Sequence, residues 1–139
     1  MQKYPVRAGA VRARALNSLQ LAYIGDSVYD LYVRSYLIRE TDIGAGGLHK
    51  RSIARVCANA QSKALALIEE MLDVEEHEVL KRGKNADVGK RAGNSSPVDY
   101  MRATAIEALI GYLYLSGKDE RLSELFDVIL SKSENKANG

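Results

Sequence analysis

Apolar residues recur every three or four positions along most of the chain, and alternating β-branched runs bounded by turn pairs are scarce, so the pattern predicts an all-α fold. The first strong helix is predicted over residues 16–38, with Leu21, Ile24, Val28, Leu31 and Leu37 as its buried stripe and Tyr23, Tyr29, Tyr32 and Tyr36 flanking it. After a glycine-rich turn at 41–47, a second helical stretch is predicted over about 48–72 through Ile53, Val56, Ala60, Leu67 and Leu72, with a break near its centre. A short helix at 74–82 leads into the basic, glycine-bearing loop 83–95, which is expected to be mobile. Ser96, Pro97 and Asp99 then make a helix start: a capping hydroxyl, proline at the first helical position and an acid three residues after the cap. That helix is predicted to reach Leu115 and end at Ser116-Gly117, with Ile106, Leu109, Ile110 and Leu113 on its core side. A last amphipathic helix over 118–131 carries Leu122, Leu125, Phe126, Ile129 and Leu130, and residues 132–139 are expected to form a flexible tail.

With 139 residues and no evident linker, the chain is expected to fold as one domain, 1–139. No apolar run approaches the ~20 residues of a membrane span, so no membrane association is expected. The start lacks a secretory pattern and the single cysteine, Cys57, has no partner for an internal disulfide, which points to a reducing cytoplasm. Its alanine-rich surroundings predict an inert core thiol rather than a nucleophile. Two histidines, His49 and His77, leave Cys/His zinc clusters and a Ser-His-Asp triad without convincing parts.

The net charge of +2 does not announce a nucleic-acid binder, but its distribution is uneven. Lys3, Arg7, Arg12 and Arg14 stand without an acid in residues 1–14, and Lys81, Arg82, Lys84, Lys90 and Arg91 face only Asp87 in 81–91. Both segments could track phosphates, or each could be an ordinary solvated surface. The acids Glu69, Glu70, Asp73, Glu75, Glu76 and Glu78 read as a solvated helix edge.

Two further acids, Asp26 and Glu107, fall inside apolar helical stretches. An ionised carboxylate among apolar neighbours is destabilising by several kcal/mol (roughly) unless a cation or hydrogen bonds compensate it, so the pair suggests one shared cation. Ala103, Thr104 and Gly111, all small and one turn from Glu107, would let a second helix approach closely. Hard oxygen ligands suit Mg²⁺, with Mn²⁺ as substitute; such an ion would activate water and offset charge on a phosphate. The competing reading is structural: each acid satisfies a helix terminus or an arginine such as Arg34 or Arg102. Asp30, one turn beyond Asp26, is a further candidate ligand.

At these two segments the chain resembles the ribonuclease III family. Ile24-Gly25-Asp26-Ser27-Val28 is similar to the core of the family's signature helix, and Glu107-Ala108-Leu109-Ile110-Gly111-Tyr112-Leu113-Tyr114-Leu115 to its second acidic helix. Leu48-His49-Lys50-Arg51 and Lys81-Arg82-Gly83-Lys84-Asn85-Ala86 resemble segments of the short bacterial branch, Mini-ribonuclease III, which has the catalytic domain without a double-stranded-RNA-binding domain; with so few residues after the last predicted helix, none is expected here. Larger members carry a Glu four residues before the signature Asp and an Asp three residues before the second Glu, where this sequence has Ala22 and Thr104.

The resemblance implies an all-helical endonuclease domain that dimerises through the signature helix and accepts duplex RNA in the resulting valley. It carries over Asp26 and Glu107 as catalytic and metal-holding residues, and points to Lys50, Arg51, Arg82, Lys84, Asn85, Lys90 and Arg91 for RNA contact. The implied activity is a Mg²⁺-dependent endoribonuclease that cuts double-stranded RNA and matures the precursor of large-subunit (23S) ribosomal RNA, with a ribosomal protein among the candidate partners. Tyr23, Tyr29, Tyr32 and Tyr36 suit a subunit interface, or are ordinary core and surface tyrosines. Ala22 and Thr104 motivate an alternative: a catalytically silent member acting as an RNA-binding or ribosome-associated module. A helical protein-interaction domain is a third reading, and predicts no affinity for duplex RNA.

Overall fold

In the computed structural model, residues 3–86 and 96–138 are described, and among them the fold is all-α with no strand. The order is α1 (Ala10–Ala15), α2 (Ser18–Glu40), α3 (Ala45–Val56), α4 (Ala58–Ile68), a 3₁₀ turn (Glu69–Met71), α5 (Val74–Lys84), α6 (Pro97–Leu115) and α7 (Asp119–Asn138). The break expected near the centre of 48–72 falls at Cys57, and α1 is an element the apolar pattern did not predict. α7 continues past the expected end near 131 to Asn138, because no glycine or proline interrupts that polar stretch.

α6 is the central helix and packs against α1, α2, α4, α5 and α7. Every residue from Ala103 to Leu113 is buried except Glu107, which is partly so. A helix enclosed on all sides must be largely apolar all round, and this stretch is so apart from Thr104 and Glu107. Its start is the expected one: the Ser96 hydroxyl accepts the Asp99 backbone N–H at 3.0 Å, with proline in the first turn. α2 and α5 open with reciprocal capping boxes, Asn17 with Gln20 and Asp73 with Glu76, and Gly117 takes the left-handed conformation (φ 75°) after α6.

The α7 stripe Leu122, Leu125, Phe126, Ile129 and Leu130 is buried as expected. Two other stripes differ. In α2, Tyr29 enters the core, edge-on to Phe126, and Tyr32 stacks on the same ring at 4.3 Å, whereas Leu31 is 61% exposed. In the second stretch Ala64, Leu65 and Ile68 supply the core while Ile53 is exposed, because the break at Cys57 resets the helical phase. Cys57 itself is exposed, correcting the expectation of a core thiol.

Candidate active site

α2 and α6 cross at two glycines. A Cβ on Gly25 would stand inside the van der Waals envelope of the Glu107 carbonyl oxygen, 2.7 Å from the Glu107 carbonyl carbon and 2.9 Å from the Gly111 nitrogen. A Cβ on Gly111 would overlap the Leu21 carbonyl in turn. These are backbone atoms that cannot step aside, so only glycine on both helices permits the approach. The small-residue seam expected around Glu107 is therefore real, and it brings the next residue of α2, Asp26, against the Glu107 carboxyl.

The two acids are not equivalent. Both were expected to be embedded, but Asp26 is exposed and the desolvation falls on Glu107. Burial first, and then hydrogen bonding and repulsion from Asp26, push the Glu107 carboxyl up from 4.5 to about 8, while the Gln61 amide favours its ionised form. No arginine neutralises the pair: among the described residues Arg34 pairs with Asp30 at 2.9 Å, and Arg102 binds Ser62 Oγ at 2.9 Å and lies 3.9 Å from Glu69. The structural reading of the acids thus lacks its cations, and Asp30 is committed to Arg34. Two adjacent carboxylates with no cation present the hard oxygen donors that a divalent ion takes. No group of three or more His, Cys, Asp or Glu side chains with metal-holding geometry occurs among the described residues, so protein ligation would be sparse.

Gln61 is the residue that the sequence reading missed. It is only 2% exposed, sits on α4 one turn before the core positions Ala64 and Leu65, and its Nε2 has no partner in good hydrogen-bond geometry. The available signal was a lone amide among Ala60, Ala64 and Leu65 on the apolar face of α4.

The basic residues divide into free and engaged groups. Lys50, Arg51, Arg82 and Asn85 are exposed, whereas Lys84 Nζ lies 2.7 Å from Glu69; Lys90 and Arg91 fall in 87–95, outside the described residues. In the N-terminal segment Arg7 binds Asp119 at 2.9 Å and covers the Tyr114 ring, and Arg14 binds Glu75 at 2.7 Å. Arg7 ties the coil before α1 to α6 and α7, and Arg14 ties α1 to α5, whereas Lys3 and Arg12 of that segment are exposed. The acids at 69–78 are likewise not merely solvated: Glu76 is 2% exposed and held by Arg121 at 2.9 Å, and Glu75 accepts from the Tyr112 hydroxyl.

Comparison with known proteins matches this arrangement. A family description, Ribonuclease III domain, fits residues 19–118, which include both acids. A Mini-ribonuclease 3 of Clostridium tetani is 43% identical over 122 residues, 87% of this chain and 81% of that protein. One from Brevibacillus brevis is 47% identical over 109 residues, 78% of this chain and 81% of that protein. A crystal structure of a Fusobacterium nucleatum protein superposes with a TM-score of 0.77 at 31% identity, covering 86% of this chain and 96% of that one. With its seam, its acid pair and these likenesses, the chain belongs to the ribonuclease III family, within the Mini-ribonuclease 3 branch.

Proposed function

We propose that the protein is a divalent-metal-dependent endoribonuclease that cuts double-stranded RNA, with Mg²⁺ as the ordinary ion and Mn²⁺ as substitute. The observation that carries this reading is the Asp26–Glu107 pair, held at a glycine seam with no protein cation to neutralise it. Bound there, a divalent ion supplies water activation and charge neutralisation at the scissile phosphate. The chain's own residues do the rest. Glu107, once ionised, and the exposed Asp26 would hold the ion with their carboxylates, and the rigid α2–α6 crossing keeps both from separating. Lys50, Arg51 and Arg82 hold the RNA backbone by charge, joined by Lys84, Asn85, Lys90 and Arg91 around the 83–95 segment.

A dimer is part of this reading. Leu19, Tyr23, Leu31 and Ile38 leave an apolar stripe on α2, from 46% to 83% exposed, which a second copy would cover while forming a valley for the duplex. Kinship with the Mini-ribonuclease 3 proteins supports the precursor of large-subunit ribosomal RNA as the natural substrate. Cleavage of duplex RNA with Mg²⁺ but not with EDTA tests the activity. Asp26→Asn is expected to abolish cutting while duplex binding persists; undiminished cutting removes Asp26 from the mechanism, and binding without cutting by the wild type establishes a silent module instead.

A further inference from the structure

The Glu107 carboxylate has few neighbours able to orient it. Thr104, one turn away, donates its hydroxyl to the Tyr100 carbonyl at 3.0 Å, and Ala22 offers no polar atom. The Gln61 amide lies beside this carboxylate as a hydrogen-bond donor, its Nε2 without a well-formed partner, and the buried Tyr29 hydroxyl is near enough to feel the same charge. Gln61 does not reach it from a mobile loop. α4 is clamped along α6 by two polar rungs, Asn59 Nδ2 to Asp99 at 3.3 Å and Ser62 with Arg102, whose Nη2 also donates to the Ser62 carbonyl at 3.2 Å. Gln61 lies between these rungs, and beyond them Ala64, Leu65 and Ile68 are buried in the core. The backbone of Gln61 is thus fixed, and its side chain is enclosed.

A buried primary amide whose nitrogen lacks a well-formed partner is destabilising, by the desolvation of an unsatisfied donor. Folding alone would favour methionine or leucine of similar volume at this place. The polar atom makes sense only against the carboxylate that it adjoins.

We propose that Gln61 is a positioning residue of the active site: its amide fixes the orientation of the Glu107 carboxylate so that, with Asp26, it is set to ligate the divalent ion. The assignment rests on the metal-holding role given above to Asp26 and Glu107. Outer partners of metal ligands act by restricting the ligand to its productive orientation, and their loss typically weakens metal affinity or activity by about 10–100-fold. Gln61 touches neither metal nor RNA in this role.

The test compares the full-length wild type with Gln61→Met, Glu107→Ala and, as a structural control on the same helix, Ser62→Ala. Mn²⁺ affinity is measured by calorimetry without RNA, unfolding by melting in EDTA, and kcat and KM on a duplex RNA. Gln61→Met is expected to melt at or above the wild-type temperature, to bind Mn²⁺ about 10–100-fold more weakly and to lose kcat with KM unchanged. Ser62→Ala is expected to lower the melting temperature and leave Mn²⁺ affinity alone. A merely structural Gln61 gives the opposite pattern, a lower melting temperature with Mn²⁺ affinity within twofold of wild type, and that result overturns the proposal. If methionine does not pack, Gln61→Leu is read by the same criteria. If wild type and Glu107→Ala bind Mn²⁺ alike, the metal reading itself fails and the proposal falls with it; if they differ and Gln61→Met matches wild type, only the role of Gln61 is lost.

Discussion

Replacing Glu107 with glutamine keeps the shape of the side chain and removes its ionisation, so it isolates the conflict between stability and function at the seam. In the metal-free protein the carboxyl is raised from 4.5 to about 8, by burial first and by Asp26 second. The folded state therefore keeps a proton that the unfolded chain has already lost. Stability is complete below the unfolded value, falls as pH rises toward about 8, and is level beyond it. One unit is about 1.4 kcal/mol, so the ionised carboxylate strains the fold by up to about 5 kcal/mol above that pH. Glutamine escapes this, and its stability advantage over wild type should widen by about 3–4 kcal/mol between pH 5 and pH 8.5. Urea unfolding in EDTA at one fixed protein concentration, read by far-ultraviolet circular dichroism, measures the gap. The variant should at the same time lose RNA cleavage, the trade expected where a site holds charge that folding would discard. A gap that does not change with pH, or one that narrows as pH rises, would refute the assignment of the desolvated acid to Glu107.

The glycine seam makes a sharper packing prediction: Gly25→Ala should lower stability by about 3 kcal/mol or more in urea unfolding, since the clash is with backbone, and a loss below about 1 kcal/mol would mean that the helices can separate. Arg121→Met leaves Glu76 buried without its cation and should destabilise by about 3 kcal/mol; recovery of most of that loss in the double variant with Glu76→Gln would confirm the cause, and its absence would contradict it. Removing the exposed cations Lys50, Arg51 and Arg82 one at a time should weaken duplex binding and each lower the slope of log affinity against log salt by about 1, while an unchanged slope assigns that residue elsewhere.

Much of the fold is legible in one dimension because helices are local objects. The 3.6-residue period marked α2, α5 and α6 with ends close to those observed and α7 with its start but not its end, and Ser96 with Pro97, like Gly117, marked where α6 starts and stops through backbone chemistry that a few neighbours decide. The same locality made Asp26 and Glu107 conspicuous, and the small residues beside Glu107 pointed to a close crossing. Which side of each helix meets another helix is not local. Leu31 and Ile53 looked like core residues and lie exposed, Tyr29 looked peripheral and is enclosed, and Glu76 looked solvated and is buried against Arg121.

The site shows the same division. By itself the sequence determined that two acids sit on two helices, with residues beside Glu107 small enough for a second helix to approach. Only the tertiary structure decided that Glu107 bears the desolvation while Asp26 faces outward, that Arg34 and Arg102 are committed to other partners, and that Gln61 arrives from α4. The physical reason is that burial and pairing are set by the crossing of α2, α4 and α6, whose contacting residues are far apart along the chain. A side chain's own neighbours in sequence fix its helical phase, but the electrostatic environment of Glu107 is built almost entirely by residues from other helices.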